Sequence, residues 1–271
     1  MIPLIEISNE EYHADTSRIS KSGLDVIARS PAHYCHKYLG AGRRTENNSP
    51  ALVTGSAVHS AILEPEKFGL EYVRGIECDR RTTEGKKLWN DWLPTSGGKI
   101  ILAGDTFDMV QNMRESVFAH PSAAKLLAGG RPEGVIHFTH TETDVLCKAR
   151  LDLLHSSERF IVDIKTTEDA SPAAFAKSIA NYRYHVQGAF YLDAFAYAGY
   201  TPPEKFVFIA VEKSPPYAVA CYYLDAEAIE VGRDIYAENL RTYAAAKASG
   251  DWFGYSPKIK PIKLPLWALN Q

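Results

Sequence analysis

Three segments with strand-like composition follow one another after Pro132, and they constrain the fold of this 271-residue chain more than any other feature. They are residues 135–140, 145–154 and 159–165, and only short polar turns separate them. Parallel strands need a crossover connection of about a dozen residues or more, whereas antiparallel strands need only a turn. The three segments therefore predict an antiparallel meander.

Segments with the apolar spacing of helices lie on both sides of these strands. Before the strands they are residues 19–29, 54–63, 82–93 and 104–118, with a polar loop at 40–50. After the strands come helical segments at 171–180 and 184–197, strand-like segments at 205–211 and 217–224, and a long helix at 225–249. This order is typical of an α+β fold whose central mixed sheet is flanked by helices.

The chain length fits one decorated domain, because domains typically span about 100–200 residues. We expect a single domain over 1–271, with a mainly helical part at 1–100, the core at 101–250 and a tail at 251–271. Three prolines between 257 and 265 favour an extended tail.

Composition excludes several classes of protein. With 45% hydrophobic and 23% charged residues, the chain is neither disordered nor collagen-like. No apolar run approaches the roughly 20 residues of a membrane span, and the acidic N-terminus lacks the basic region of a signal peptide. The four cysteines form no CxxC pair, which argues against a zinc ribbon or an iron–sulfur cluster and favours free thiols in a reducing cytoplasm.

The net charge of -3 excludes a uniformly basic protein that coats DNA. The net charge does not exclude a protein that binds nucleic acid through a local cluster of positive charge. Residues 18–44 are such a cluster, with six Lys or Arg and one acid, Asp25. A solvated surface explains such a cluster equally well.

The strongest chemical signal is Asp163-Ile-Lys165, with Asp152 eleven residues earlier. Residues two apart in a strand share a face, so Asp163 joins Lys165, and Asp152 joins Lys148 and Arg150. If the two strands pair, two carboxylates and a lysine converge. Buried charges need partners or a metal, and carboxylate oxygens suit Mg²⁺ or Mn²⁺. An ordinary ion pair explains an isolated Asp-x-Lys, but the second aspartate favours a metal site.

Two helices carry further candidates. His59 lies one turn after Gly55, which leaves open space beside the imidazole, although a lone helical histidine is often structural. Gln187 and Tyr191 are four residues apart and share a helix face. A glutamine can bond a phosphate or a base edge and a tyrosine can stack, but both residue types also pack in cores.

The ordered set of these residues resembles the PD-(D/E)xK nuclease superfamily. The match rests on Gly55-Ser-Ala-Val-His59, Lys148-Ala-Arg-Leu-Asp152, Ile161-Val-Asp-Ile-Lys165 and Tyr184-His-Val-Gln187 with Tyr191. Within the superfamily, the chain looks most similar to RecE-type exonucleases (exodeoxyribonuclease VIII) of phages and prophages, which are related to lambda exonuclease and the RecB nuclease domain. The resemblance covers residues 10–250 and implies an αβββαβ core.

The resemblance also implies roles for residues in the site. Asp152 and Asp163 would be the main ligands of Mg²⁺, with His59 and the Ile164 carbonyl as further ligands. Mn²⁺ would serve as a substitute for Mg²⁺. Lys165 would orient or activate the attacking water and stabilise charge on the phosphate. The DNA strand would lie against Gln187 and Tyr191. Three residues match less securely: Glu133, Lys148 and Arg150.

Relatives of this type degrade one strand of duplex DNA from its 5′ end, which requires recognition of a 5′-phosphate. Free N–H groups and the helix dipole at Ser20-Lys21-Ser22 favour an anion, and Arg18 and Arg29 would reinforce it, although an ordinary serine cap explains these residues too. The resemblance further implies a homo-oligomeric ring, a trimer or tetramer, and a RecT-type single-strand annealing protein as partner.

Three functions therefore remain in view. The first is a metal-dependent 5′-to-3′ exonuclease of phage-type recombination that acts on double-stranded DNA ends. The second is an endonuclease or repair nuclease of the same superfamily. The third is a non-catalytic protein that binds or anneals DNA ends.

Overall fold

A computed structural model describes residues 2–40 and 49–264 of the chain. The predicted loop at 40–50 falls mostly on residues outside this range, as does the end of the tail. The N-terminal elements are α1 (Asn9–Ala14), α2 (Lys21–Arg29), α3 (Pro31–Tyr34), a π-helical turn (Cys35–Leu39), α4 (Pro50–Leu63), α5 (Pro65–Glu71), β1 (Tyr72–Arg74), α6 (Thr83–Trp92), a 3₁₀ turn (Leu93–Ser96), β2 (Ile100–Leu102), α7 (Gly104–Ala119) and α8 (Pro121–Leu127).

The remaining elements contain the main sheet and the helices that follow it. They are β3 (Arg131–Pro132), β4 (Val135–His140), β5 (Val145–Arg150), β6 (Leu153–Leu154), β7 (Phe160–Thr167), α9 (Pro172–Asn181), α10 (Tyr184–Tyr197), β8 (Lys205–Glu212), β9 (Val219–Tyr223) and α11 (Ala226–Ser249). Every helix predicted from the apolar spacing is present. The short elements α1, α5, α8, β1, β2 and β3 were not predicted.

The central sheet has the strand order β3-β6-β7-β8-β9. The pair β7–β8 is parallel and the other pairs are antiparallel, so the sheet is mixed. Helices cover both of its faces. The predicted α+β architecture is confirmed, and the two strand-like segments at 205–211 and 217–224 form the antiparallel pair β8–β9.

The predicted continuous strand at 145–154 is wrong. The chain leaves β5 after Arg150, and β6 then joins the central sheet on β7 while β5 stays paired with β4. The predicted meander is therefore divided into two antiparallel pairs. Backbone hydrogen bonds hold the break: Leu151 N–H donates to the Gly134 carbonyl (2.9 Å), and Glu133 N–H donates to the Asp152 carbonyl (3.0 Å). The break leaves Asp152 at the edge of the sheet.

Two apolar clusters lie on opposite faces of the sheet. The first packs α2, α10 and α11 against Phe206 and Phe208, and the second packs α4 and α7 against Ile164 and Ile209. Strand β8 contributes to both clusters, as expected of a buried apolar strand. At Gly232 of α11, a Cβ atom would lie 2.3 Å from the His185 carbonyl oxygen, so glycine allows α10 and α11 to pack closely. This packing fixes the position of α10 over the sheet.

Among the described residues, none of the helices has both the length and the apolar character needed to cross a lipid bilayer.

Candidate active site

The break between β5 and β6 places Asp152 opposite Asp163. Leu153 pairs with Val162 in an antiparallel register, so the next residues outward are these two aspartates. Asp152 Oδ2 accepts a hydrogen bond from the backbone N–H of Ile164 (2.8 Å). The N–H and C=O of one strand residue point to the same edge, so the Ile164 carbonyl also faces this edge. Three groups whose oxygen atoms can bind a metal ion therefore lie around the end of β6, namely the two aspartates and the Ile164 carbonyl.

Helix α4 brings His59 to the same edge. Its neighbours Ala57 and Val58 are buried against the sheet, whereas the His59 side chain stays 29% exposed and its Nδ1 lies 3.4 Å from Asp152 Oδ2. As expected, Gly55 has open space beside it, since apart from its chain neighbours and the backbone of its own helix no heavy atom lies within 4 Å of where its Cβ would be. The imidazole therefore borders a space beside the carboxylate.

Strand β7 positions Asp163 and Lys165 on one face. The neighbouring Val162 and Ile164 point into the cluster on the other face, as the strand period predicts. Asp163 is fully buried, and its Oδ2 lies 2.6 Å from Lys165 Nζ. Its Oδ1 accepts a hydrogen bond from Gln187 Nε2 of α10 (2.6 Å). Both oxygens of the buried carboxylate are therefore held in place.

Burial and charge perturb this pair of groups. The pKa of Asp163 is raised to about 6, by burial first and then by the negative charge of Asp152, against the opposing effects of Lys165 and His59. Burial lowers the pKa of Lys165, but attraction to the two aspartates exceeds this effect, so its pKa is raised. The lysine therefore stays protonated at neutral pH, while two close carboxylates retain an excess of negative charge.

The donor set fits a hard divalent cation. Carboxylate and carbonyl oxygens suit Mg²⁺ or Mn²⁺, and a cation would relieve the repulsion that raises the pKa of Asp163. Within residues 2–40 and 49–264, no three His, Cys, Asp or Glu side chains form a preformed cage. Mg²⁺ does not need such a cage, because it commonly binds through one or two carboxylates and completes its shell with water and substrate phosphate.

Glu133 and Arg150 lie beside Asp152. Glu133 adopts a left-handed backbone (φ 53°), and its Oε2 lies 3.2 Å from Arg150 Nε. Burial first, and then Asp152, raises the pKa of Glu133. Arg150 Nη1 also donates to Asn9 Oδ1 (2.7 Å), and its guanidinium lies 4.9 Å from the centre of the Tyr12 ring. Glu133 is therefore a further acid near the site, and Arg150 partly neutralises it.

Lys148 lies in a different environment. It is buried, and its ammonium donates to the carbonyl oxygens of Tyr12 and Asp15 at the end of α1. The ammonium also lies over the Tyr12 ring. These contacts attach the N-terminal segment to β5, which accounts for this lysine without a role in chemistry.

Gln187 and Tyr191 both face the site from α10. The Gln187 amide holds Asp163, so its contact in this structure is to the carboxylate. Tyr191 is half-buried, with its ring 6.1 Å from that of Phe206. Burial raises the pKa of Tyr191 well above its usual value, with smaller contributions from Tyr12, Asp163 and Asp152. Its hydroxyl therefore belongs to the same electrostatic environment as the two aspartates.

The start of α2 lies near Lys165. Ser20 Oγ caps the helix by accepting the Gly23 N–H (3.3 Å) and lies 3.0 Å from Ser22 Oγ. Lys21 is buried, and its Nζ lies 2.8 Å from Asp25 Oδ2. Burial lowers the pKa of Lys21, and Lys165 is among the cations that lower it further. The predicted anion site and the candidate metal site are thus electrostatic neighbours.

The two arginines predicted at this site lie before the start of α2 and at its end. Arg18 pairs with Asp15 (3.0 Å), and Arg29 is exposed at the end of α2. Two residues at this place were not predicted from the sequence: Arg183, whose Nε lies 3.0 Å from Asp25 Oδ1, and its neighbour Tyr182. The run Tyr182-Arg183-Tyr184, directly before the Gln187 motif, was the available signal.

A mixed sheet with helices on both faces, and an Asp-x-Lys strand beside a second aspartate, define the chain as a nuclease-fold protein of the PD-(D/E)xK superfamily. The chain belongs to the family described as PDDEXK-like domain of unknown function (DUF3799), whose model matches residues 20–265. Nucleases of this superfamily generally use divalent metals.

A solved structure at low sequence identity shares this fold. A protein from Eubacterium rectale, whose assignment as an exonuclease is provisional, has a TM-score of 0.66 at 15% identity, with 98% of each chain covered. A phage-related exonuclease from Haemophilus somnus 129PT covers 63% of this chain and 85% of its own, with a TM-score of 0.32 and 10% identity. No curated protein matches the chain.

Proposed function

We propose that this protein is a metal-dependent exonuclease of RecE type that hydrolyses one strand of double-stranded DNA from the 5′ end. The observation that carries the proposal is the convergence of Asp152, Asp163, Lys165 and His59 at the end of β6. Phosphodiester hydrolysis needs an activated water and neutralisation of the charge that builds on the phosphate. The residues at this edge are suited to both needs.

Each residue has a definite part in this chemistry. Asp152, Asp163 and the Ile164 carbonyl would hold Mg²⁺, or Mn²⁺ in its place, with His59 as a further ligand. Bound metal would supply the activated water and charge neutralisation. Lys165, protonated and 2.6 Å from Asp163, would place a fixed positive charge beside the scissile phosphate. Gln187 would keep the Asp163 carboxylate in orientation.

Digestion of duplexes labelled at one 5′ end or one 3′ end, with Mg²⁺ or with EDTA, tests the proposal. We expect early release of the 5′ label as mononucleotides in Mg²⁺ and no release in EDTA. Cuts at internal positions of a closed circle would favour the endonuclease or repair alternative. Annealing without cleavage, unaffected by EDTA, would favour a non-catalytic end-binding protein.

Substrate selection gives one prediction. Duplexes with a 5′-phosphate should be digested about tenfold faster than 5′-hydroxyl duplexes, because charged hydrogen bonds to phosphate contribute about 1.5–3 kcal/mol. Lys21→Gln should reduce this preference. The control Lys125→Gln, an exposed lysine on α8 at the other face of the sheet, should preserve it. Equal rates on the two duplexes would remove Ser20, Lys21 and Ser22 from substrate recognition.

The raised pKa of Asp163 gives a second prediction. Metal ligands bind in their deprotonated form, and a carboxyl with a pKa of about 6 is mostly protonated at pH 5 and mostly ionised at pH 7. Mn²⁺ affinity, measured by titration calorimetry, should therefore fall about tenfold from pH 7 to pH 5. The variant His59→Gln should retain this dependence. A flat profile over this range would show that Asp163 has an ordinary pKa or does not bind the metal.

The resemblance extends the proposal to the assembly. We include a homo-oligomeric ring around DNA, a trimer or tetramer, a RecT-type single-strand annealing protein as partner, and a location in the cytoplasm of a bacterial host. Sedimentation equilibrium measures the oligomeric state. Co-purification with the annealing protein of the same phage or prophage tests the partnership.

A further inference from the structure

An exposed tyrosine marks the corner between α9 and α10. Tyr182 is 64% exposed, and its ring stacks on that of Tyr184, with centroids 5.5 Å apart and planes at 26°. On the side of the candidate metal site, the ammonium of Lys165 lies over the Tyr184 ring, with Nζ 4.6 Å from the ring centre. A continuous series of contacts therefore runs from an exposed ring, through Tyr184 and Lys165, to Asp163.

The backbone under this ring is fixed. Tyr182 N–H donates to the Ser178 carbonyl (2.9 Å), and the Tyr182 carbonyl accepts from Lys21 Nζ (3.3 Å). The next residue, Arg183, has a left-handed backbone (φ 56°), and its N–H donates to the Ala180 carbonyl (3.2 Å). A ligand that stacked on Tyr182 would therefore meet a ring whose main chain is already ordered, which lowers the entropic cost of binding.

Cations surround the same corner. Lys21, Lys165 and Arg183 lie there. Lys21 and Arg183 both pair with Asp25, whereas Lys165 pairs with Asp163 in the candidate metal site. A single exposed aromatic residue is ordinary on a protein surface. An exposed aromatic face beside a cluster of cations is the combination that binds single-stranded nucleic acid, since any base can stack on the ring while cations attract the phosphates.

We propose that the exposed face of Tyr182 stacks an unpaired base of the strand that is cut. The inference rests on the proposed function and specifies the substrate at the site, namely a nucleotide already separated from its complement. A base inside a duplex has both faces covered by its neighbours, so it must leave the helix before it can lie on Tyr182.

The test combines crosslinking with kinetics. In the first part, 5-iodouracil is placed at each of the first three nucleotides of a duplex end, and the complex is irradiated in Ca²⁺ without turnover. Mass spectrometry should identify Tyr182 as the crosslinked residue at one of these positions. The crosslink should persist in Tyr182→Phe, which keeps the ring.

In the second part, Tyr182→Ala should raise KM by about 5- to 100-fold while kcat stays within about twofold, because base stacking on one aromatic ring accounts for that range. An abasic nucleotide at the crosslinked position should cause the same loss in the parent protein and no further loss in Tyr182→Ala. The matched control is Tyr223→Ala. Tyr223 is 59% exposed, with Lys205 Nζ 3.9 Å from its ring centre, and it pairs with Val207 on β8, away from the α9–α10 corner.

Three results would overturn the inference. Normal KM for Tyr182→Ala, or crosslinks confined to other residues while the parent protein still cleaves DNA, would overturn the stacking role alone. Absence of DNA cleavage by the parent protein would overturn the proposed function, and the inference with it.

Discussion

Replacement of Asp163 by alanine is expected to abolish Mg²⁺-dependent hydrolysis, with a loss of at least about a thousandfold, because metal-assisted charge stabilisation contributes several kcal/mol. The carboxylate is fully buried on β7, beside the end of β6, and is shared between Lys165 and Gln187. The isosteric variant Asp163→Asn should lose the same activity while keeping the volume of the side chain. Release of labelled mononucleotides measures the effect.

Two controls accompany this prediction. One tests whether the Asp163 variants still fold, and the other tests whether replacement of an aspartate elsewhere affects activity. The circular dichroism spectrum and a cooperative melt should persist in both variants, since a buried carboxylate with a raised pKa is costly to keep ionised. The variant Asp91→Asn, at an exposed position of α6, should digest DNA normally. Normal turnover by Asp163→Asn would refute the metal assignment.

Replacement of Lys165 by methionine or alanine should lower kcat by about 10²–10³-fold, as expected when one preorganised donor to a developing charge is removed. The lysine remains charged because attraction to Asp163 and Asp152 outweighs its burial. Binding of DNA should change less than turnover, so single-turnover rates and filter binding on the same variants separate the two effects.

The same variant separates an enzyme from a DNA-annealing protein. An annealing protein would show the same activity with Lys165→Ala and with EDTA as without either change. Lys177→Ala, at an exposed position of α9, is the matched control and should leave turnover unchanged. Loss of annealing together with unchanged cleavage in Lys165→Ala would contradict the role given to this lysine.

Local patterns were sufficient to predict much of the architecture. The two-residue period of β7 placed Asp163 and Lys165 on one face, and the structure packs Val162 and Ile164 on the other. Apolar spacing also predicted the long helices, including α10 and α11. These features depend on neighbours in the sequence, so composition and period carry the information.

The strand break at Asp152 depends on contacts between distant residues. The composition of 145–154 remains strand-like to its end, and the chain changes sheets because Glu133 and Gly134 bond the backbone at Asp152 and Leu151. The parallel pair β1–β2 was missed for a related reason, since each strand has three residues and their pairing spans a long segment.

The contacts that the site side chains make with one another could not be predicted from the sequence either. The helical period shows that Gln187 and Tyr191 share a face, but the bond from Gln187 to Asp163 depends on how α10 packs on β7. That packing is set by close approaches such as the one at Gly188, where a Cβ would lie 2.4 Å from Leu224 Cδ1.

A crystal structure of the protein with Mn²⁺ tests the central claim most directly. Anomalous scattering should locate Mn²⁺ at the end of β6, within bonding distance of the Asp152 and Asp163 carboxylates and the Ile164 carbonyl oxygen, with His59 beside it. Mn²⁺ bound only elsewhere, or no ordered Mn²⁺ at these residues at saturating concentration, would contradict the account.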